Sequence, residues 1–252
     1  MYDLAARKRA LLLLGQGLSL NATSKATGIS RAAIRSWTER LEPSPRAHDC
    51  PRCQDPPRPP GPPGDYAYLL GLYLGDGCIS QHLRGVHALR IACADTWPGL
   101  MDECVRAMTA VRPRNRACLV RNKGCTMAVS YSKHWPCLFP QHGPGVKHGR
   151  RIVLVPWQRE IVEEHPWALV RGLIHSDGCR VVNWTTRVVG GERKRYEYPR
   201  YFFTNASDDI RAIYTDTLDR LGIPWKRANA RNVSVARREA VAVMDEHIGP
   251  KH

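Results

Sequence analysis

Apolar residues in the first 41 positions recur at helical spacing and predict three short helices. Residues 22–27 form the second helix, Gly28 supplies the turn after it, and Ser30 caps the third helix. The positions expected to face inward are Leu4, Leu11, Leu14, Ile34, Trp37 and Leu41. A small all-α module is therefore predicted at this end of the chain.

Residues after 65 mix helical periodicity with short alternating or β-branched runs, in the order helix, two strands, helix, two strands, helix, and then again. The first set of predicted elements spans 66–76, 78–83, 88–94, 97–110, 117–121 and 126–131, with a short helix near Trp135. The second set spans 167–177, 180–187, 196–204, 208–221, 226–230, 233–235 and 238–247. The predicted class is α+β.

The two sets also share sequence. Residues 69–80 read LLGLYLGDGCIS and residues 170–181 read VRGLIHSDGCRV, at an offset of 101 positions. The pairs Val129-Ser130 and Lys147-His148 recur at an offset of 104, as Val233-Ser234 and Lys251-His252. Two matches at nearly one spacing indicate two copies of one supersecondary unit.

The formal net charge of the chain is +15, and both its sign and its distribution bear on the partner. Residues 1–64, 65–165 and 166–252 each carry five more basic than acidic side chains. Positive charge spread over a folded chain favours an extended polyanion such as nucleic acid. The sequence holds no apolar run long enough for a membrane span and no signal peptide, so a cytoplasmic, nucleoid-associated protein is expected.

A run of prolines and glycines at residues 56–64 predicts a stiff spacer that separates two parts of the chain. The predicted divisions are a helical module over 1–46, a linker over 47–64, a first repeat with its connecting segment over 65–165, and a second repeat over 166–252.

The N-terminal module resembles a helix-turn-helix. Ser24, Gly28 and Ile29 stand at the spacing of that motif's turn, and the third helix follows directly. Arg31 and Arg35 fall on the face that a recognition helix presents to the major groove, so both are predicted to bind DNA. A three-helix bundle without a nucleic-acid ligand is the alternative.

The repeated motif places small residues four apart, Gly71 with Gly75 and Gly172 with Ser176, which lets two helices pack closely. Asp76 and Asp177 would then lie side by side at the helix ends, each followed by a glycine expected in the left-handed conformation that stops a helix. Two apposed carboxylates repel unless a cation lies between them, and hard oxygen ligands suit Mg²⁺.

This repeat is similar to the LAGLIDADG homing endonucleases of the single-chain, two-motif type, over about residues 65–252. The resemblance implies two pseudo-symmetric αββαββα repeats that form a DNA-binding β-saddle, and a monomer that cleaves double-stranded DNA without a protein partner. It implies that Asp76 and Asp177 hold Mg²⁺ or Mn²⁺, and that Lys147 and Lys251 act as charge stabilisers or water organisers. Leu74 and His175 depart from the family pattern at its earlier acidic position.

Further cations on the predicted strands are candidates for DNA contact. They are Arg84, Arg90, Arg116, Arg121, Arg180, Arg187, Lys194, Arg195, Arg200, Arg227 and Arg231. Cys50 and Cys53 form half of a zinc knuckle that His48, or Cys137 with His142, could complete; the alternative is spare thiols in a linker.

Two other functions remain open on the same residues. A DNA-binding transcriptional regulator could keep the saddle without cleaving, and the helix-turn-helix module favours that interpretation, whereas the intact pair Asp76 and Asp177 disfavours it. An RNA-splicing cofactor on the same scaffold is the third candidate.

Overall fold

The computed structural model describes residues 2–39, 41 and 49–251. The chain forms two compact units, residues 1–49 and 50–252, each with its own hydrophobic core. The residues of the predicted linker from 50 onward thus belong to the second unit. Among the described residues, no helix combines the length and apolar character needed to cross a membrane.

The first unit consists of the three predicted helices, α1 (Leu4–Gly15), α2 (Leu20–Thr27) and α3 (Arg31–Glu39). Asp3 and Ser19 cap α1 and α2 by accepting hydrogen bonds from backbone amides, and Gly28 ends α2 with a φ of 69°. The core of this unit consists of Ala10, Ile29, Ile34 and Trp37. Arg31 and Arg35 are exposed on α3.

The second unit contains the predicted repeat. Its first copy comprises α4 (Pro63–Leu74), β1 (Gly77–Gln81), β2 (His87–Cys93), α5 (Pro98–Val111), β3 (Ala117–Asn122), β4 (Cys125–Ser132) and α6 (Trp135–Leu138). A connecting helix follows, α7 (Pro156–Glu164). The second copy comprises α8 (Pro166–Asp177), β5 (Gly178–Val189), β6 (Glu192–Thr204), α9 (Asp208–Arg220), β7 (Lys226–Arg227), β8 (Asn232–Val235) and α10 (Arg238–Ile248). The α+β class and the order αββαββα are as predicted.

Each copy builds one antiparallel sheet with the same topology. The strand orders are β1-β2-β4-β3 and β5-β6-β8-β7. In each sheet one face packs against the helices. The buried residues of this face include Leu89 and Ile91 on β2, and Tyr201 and Phe203 on β6. The opposite side of each sheet is its outer face. Because direct partners across antiparallel strands share a face, the register assigns every strand residue to one side.

The β5–β6 hairpin differs from its prediction. Gly190 and Gly191 both have positive φ, at 64° and 84°, which suits a tight two-residue turn. The strands therefore continue to the turn, where Val189 pairs with Glu192, and residues 193–195 lie in β6 rather than in a loop. The predicted strand over 226–230 is shorter, because pairing of β7 ends at Arg227. Helix α7 was not predicted.

Candidate functional site

The two motif helices, α4 and α8, contact each other through their backbones. A methyl group at Gly71 would lie 2.5 Å from the carbonyl oxygen of Leu169, and one at Gly172 would lie 2.2 Å from that of Tyr68. The Ser176 hydroxyl occupies the space beside Gly75, 2.1 Å from where a methyl group would lie. The strip of small residues predicted from the motif is therefore where the helices meet.

The glycines that follow the aspartates serve close approach rather than a left-handed turn, which corrects the expectation for them. Gly178 is extended, with φ −108° and ψ 169°, and Gly77 is absent from the positive-φ glycines of the described chain. A methyl group at Gly77 would lie 2.4 Å from Cα of Tyr73, and one at Gly178 would lie 2.7 Å from Cα of Ile174. The first residue of each strand thus lies so close to the preceding helix that a side chain there would overlap the helix backbone.

Asp76 and Asp177 stand at the adjoining ends of these helices. The Asp177 carboxyl carbon lies 3.2 Å from where a methyl group at Gly75 would be, and Gly75 directly precedes Asp76. Burial, followed by the nearby charge of Asp177, raises the pKa of Asp76 to about 6. Burial also raises the pKa of Asp177, although the hydrogen bond from Asn205 opposes the rise. The structure therefore brings together two carboxylates whose ionised forms are only partly compensated by their surroundings.

Such a pair fits a divalent cation. The carboxylates are hard oxygen donors, one from each repeat, and Asp76 is exposed so that water and a phosphate can reach it. A cation bound between the two carboxylates would attract both of them. This attraction would offset the repulsion from Asp177 that contributes to the raised pKa of Asp76. Asp76 and Asp177 are thus the residues that could hold the Mg²⁺ or Mn²⁺ that the resemblance implies.

Lys147 and Lys251 lie against the ends of the motif helices, at equivalent places in the two repeats. The Lys147 ammonium donates to the carbonyl oxygens of Tyr73, Leu74 (2.9 Å) and Gly75 (2.6 Å). The Lys251 ammonium donates to the carbonyl oxygens of Ser176 (3.3 Å) and Gly178 (2.6 Å). Each lysine therefore satisfies carbonyl groups that the end of a helix leaves without an intrahelical partner.

The lysine charges also belong to the electrostatics of the aspartates. Burial lowers the pKa of Lys147 to about 8, while Asp177 and then Asp76 oppose that change. Burial likewise lowers the pKa of Lys251, and the charges of Asp76 and Asp177 oppose that change. Both lysines in turn favour ionised Asp76 and Asp177.

Two polar residues near the site escaped sequence reasoning. The Asn205 side-chain amide donates to Oδ2 of Asp177 from the loop after β6, so it orients one of the two carboxylates. The Tyr68 hydroxyl and Nδ1 of His175 lie 2.9 Å apart across the helix interface, in a buried pair. Burial lowers the pKa of His175 to about 4, so this imidazole is neutral near pH 7. The unusual His175 is thus a buried, neutral side chain that contacts Tyr68 of the other motif helix.

The predicted DNA-contacting cations divide between the two faces of the sheets. Arg90 pairs with Cys78, Arg187 with Lys194, and Arg200 with Val181, all on the outer face. Lys226, which was not predicted, joins them because it pairs with Ser234, whose other partner is Phe202. Arg84, Arg116 and Arg231 are exposed residues outside the strands.

Four of the predicted cations lie on the opposite side. The register places Arg121, Arg180, Arg195 and Arg227 on the same face as the buried strand residues. Arg180 is bound by both carboxylate oxygens of Asp245, at 2.7 and 2.8 Å. Arg195 pairs with Glu197 at 2.6 Å and covers the Trp184 ring. Since alternate residues of a strand face opposite sides of a sheet, Arg180 and Arg187 lie on opposite faces of β5, and the cations of one strand are not equivalent.

The structure brings Cys50 and Cys53 together with two further candidate metal ligands, His134 and Cys137. Cys137 was one of the predicted partners. His142 instead packs against the ring of His87 at 5.9 Å, and His48 lies outside the described residues.

Comparison with known proteins finds similarity at the level of structure. No protein-family model matches the chain, and no curated protein matches it. The chain is similar to the homing endonuclease I-DmoI in complex with DNA and Mn, with 15% identity and a TM-score of 0.48, over 75% of this chain and 98% of that one.

Two further solved structures are similar to this chain. The LAGLIDADG meganuclease I-AabMI bound to uncleaved DNA has 10% identity and a TM-score of 0.47, over 72% of this chain and 82% of that one. The N-terminal LAGLIDADG domain of DUF199/WhiA has 12% identity and a TM-score of 0.46, over 77% of this chain and 85% of that one.

Proposed function

We propose that this chain is a site-specific double-strand DNA endonuclease of the homing type, dependent on a divalent metal and active as a monomer. The observation that carries the proposal is the juxtaposition of Asp76 and Asp177 at the ends of two packed helices. One carboxylate comes from each repeat, so a single chain supplies both halves of the site. Mg²⁺ is the proposed metal, with Mn²⁺ as a substitute.

In this proposal Asp76 and Asp177 would hold the metal through their carboxylate oxygens. When bound, a divalent ion lowers the pKa of water and stabilises charge on the phosphate oxygens. The side chains contribute orientation: Asn205 fixes one oxygen of Asp177, and the packed helices fix the distance between the two carboxylates. No protein nucleophile is proposed.

Lys147 and Lys251 position the helix ends and contribute positive charge. The Lys147 ammonium already donates to three carbonyl oxygens, so we propose that it stabilises charge at a distance instead of transferring a proton. Lys251 has two such partners and is proposed to do the same in the second repeat.

Duplex binding is proposed to use the outer faces of both sheets. These faces carry Arg90, Arg187, Lys194, Arg200 and Lys226, and no acidic strand residue other than Glu192 joins them at the described positions. Cations there would neutralise phosphates and read base edges. In the first unit, Arg31 and Arg35 on exposed positions of α3 are proposed to add contacts as a helix-turn-helix.

A second candidate function is a DNA-binding regulator that does not cleave. The three-helix first unit favours it, because such a unit gives a chain a DNA-binding surface that cleavage chemistry does not require. Both candidates require DNA as the partner, so binding alone does not separate them.

The decisive experiment incubates the full chain with a randomised duplex library and Mg²⁺, alongside Asp76→Asn and Asp177→Asn. We expect double-strand cleavage of a selected site by the parent only, with all three proteins binding that site. Asp102→Asn, which changes an exposed carboxylate on α5, is the matched control and should cleave like the parent. Site-specific binding without cleavage by any of the four proteins would support the regulator.

A further inference from the structure

Residues 50–53, with the sequence CPRC, fold as a short turn at the start of the second unit. A 3-10 turn spans Pro51–Cys53, and the Cys53 amide donates to the carbonyl oxygen of Cys50 at 3.0 Å. Cys50 is buried. This turn points both thiols the same way, as in the knuckles that present two cysteines to a metal.

A second pair of candidate metal ligands, His134 and Cys137, lies at the C-terminal end of the first repeat. His134 directly precedes α6 and Cys137 lies within it, where the Cys137 amide donates to the His134 carbonyl oxygen at 3.1 Å. The His134 amide is held by the Ser132 hydroxyl at 3.1 Å. The spacing of two intervening residues therefore repeats in both pairs, CxxC and HxxC.

The distances within the cluster are those of a tetrahedral site. Zinc bonds of about 2.3 Å to sulfur and about 2.0–2.1 Å to nitrogen separate two sulfur ligands by about 3.8 Å, and sulfur from nitrogen by about 3.6 Å. The Cys53 and Cys137 sulfur atoms lie 3.6 Å apart, and Nδ1 of His134 lies 3.4 Å from the first and 3.8 Å from the second. All four ligand atoms lie within 4.8 Å of one another.

These separations disfavour a disulfide, because bonded sulfur atoms are about 2.05 Å apart. Four protein ligands also fill a tetrahedral coordination shell, which is typical of structural zinc and leaves no position for substrate. Three soft thiolates with one imidazole select zinc over magnesium.

We propose that Cys50, Cys53, His134 and Cys137 bind one structural Zn²⁺. The proposal is independent of the nuclease function, because the ligands are separate from Asp76 and Asp177. The ion joins residues that are 81 positions apart in the chain, so it ties the segment before α4 to α6. Because the unfolded chain does not hold the four ligands together, the free energy of zinc binding adds to the stability of the folded state.

Contacts around the knuckle extend this anchoring to the proline-rich segment. The Arg52 guanidinium lies 4.6 Å from the centre of the Trp157 ring, and the Arg58 amide donates to the carbonyl oxygen of Pro51 at 3.0 Å. The zinc site therefore fixes where the chain enters the second unit.

The test measures metal content of the full chain, purified under reducing conditions and without an affinity tag. Elemental analysis should find one zinc per chain, and Co²⁺ exchanged into the site should show the visible absorption of a tetrahedral, thiolate-rich centre. Cys53→Ser and Cys137→Ser should lose stoichiometric zinc, whereas Cys118→Ser, which changes a thiol outside the cluster, should keep it. His134→Cys should also keep zinc, since four thiolates remain a tetrahedral set.

The wild-type chain keeps this test informative even where a variant fails to fold. Removing the metal with a chelator should lower the melting temperature, and one equivalent of Zn²⁺ should restore it. The proposal is overturned if the reduced chain neither contains zinc nor takes it up from a competing indicator. A Cys53–Cys137 disulfide in the freshly prepared protein would overturn it as well.

Discussion

Asp76 illustrates how one side chain can be exposed to solvent and still be costly to ionise. It opens on the surface at the end of α4, yet the protein around it and the charge of Asp177 raise its pKa to about 6. The folded state therefore binds more protons than the unfolded state between about pH 4 and pH 6. This group stabilises the fold most fully below its unfolded pKa, and that contribution is lost as the pH rises through about 6.

Asp76→Asn should consequently raise the melting temperature at pH 7.5 in the absence of divalent ions, by a few degrees at most. The gain should shrink towards pH 4, where the wild-type carboxyl is protonated in the folded state. Thermal melts of both proteins across this pH range measure it. Adding Mg²⁺ at pH 7.5 should stabilise the wild type more than the variant, and an equal response of the two would contradict the assigned metal ligand.

Single residues also show where sequence reasoning succeeded and where it could not. The repeated motif identified Asp76 and Asp177 because a short local pattern fixes both the helix end and the acid. His134 was missed in favour of His142, since which histidine meets Cys53 depends on the turn at α6 and not on spacing from the cysteines. Asn205 has no local signal, because its contact with Asp177 forms across 28 positions.

At the scale of elements, the packing of α4 against α8 is the contact that organises the candidate site. Backbone atoms touch where Gly71 and Gly172 face each other, so neither helix can move away without separating the two carboxylates. Small residues at this strip are required by the backbone of the neighbouring helix itself, which cannot change rotamer to make room.

Gly71→Ala should lower the free energy of unfolding by about 3 kcal/mol or more, because its methyl group would overlap the Leu169 carbonyl oxygen. Gly64→Ala is a matched control on the same helix, where the nearest side-chain atom is 3.6 Å away and ordinary contact results. Urea unfolding of both variants measures the difference. Equal stability of the two would show that the helices do not pack as described.

The β5–β6 hairpin allows the two faces of a sheet to be tested separately. Arg187 and Lys194 are paired on the outer face near the turn, while Arg193 pairs with Val188 on the other face. Replacing both outer-face residues with alanine should weaken DNA binding about tenfold at physiological salt and reduce the salt dependence by about two phosphate contacts. Arg193→Ala should change affinity less than either outer-face substitution, as measured by fluorescence anisotropy across a salt series.

Element type was predictable throughout the two repeats because periodicity and the internal repeat agree over long stretches. Element ends were less so. Gly190 and Gly191 allow the hairpin to close in two residues, so β5 continues to Val189 and β6 begins at Glu192, and Arg195 lies within a strand on the side of the buried residues. Helix α7 spans Pro156–Glu164, which is too short to be stable alone, so it depends on the burial of Ile161 and Val162.

At the scale of the whole molecule, the chain carries two units that fold around separate cores. The proposed active site and the proposed zinc site lie entirely in the second unit. The first unit is therefore expected to affect how tightly the protein binds DNA, and not the chemistry of cleavage.

Replacing Arg31 and Arg35 with alanine should weaken binding to the selected target several-fold, because two exposed cations on α3 no longer meet phosphates or bases. The single-turnover cleavage rate at saturating protein should stay unchanged. Lys25→Ala, a cation on α2, provides a comparison for general loss of charge. A large fall in the cleavage rate itself would contradict this division of labour.

The two hairpins next to the motif helices are unequal in length. Strands β5 and β6 have 12 and 13 residues, whereas β1 and β2 have 5 and 7. At about 3.3 Å per residue, one arm reaches roughly 40 Å and the other roughly 20 Å. A duplex bound along both hairpins would be contacted over a greater length on one side of the cleavage site than on the other. The preferred DNA sequence should thus be non-palindromic. The side of the cut with the longer contacted sequence should be the side that the β5–β6 hairpin binds, which fixes the orientation of the protein on the duplex.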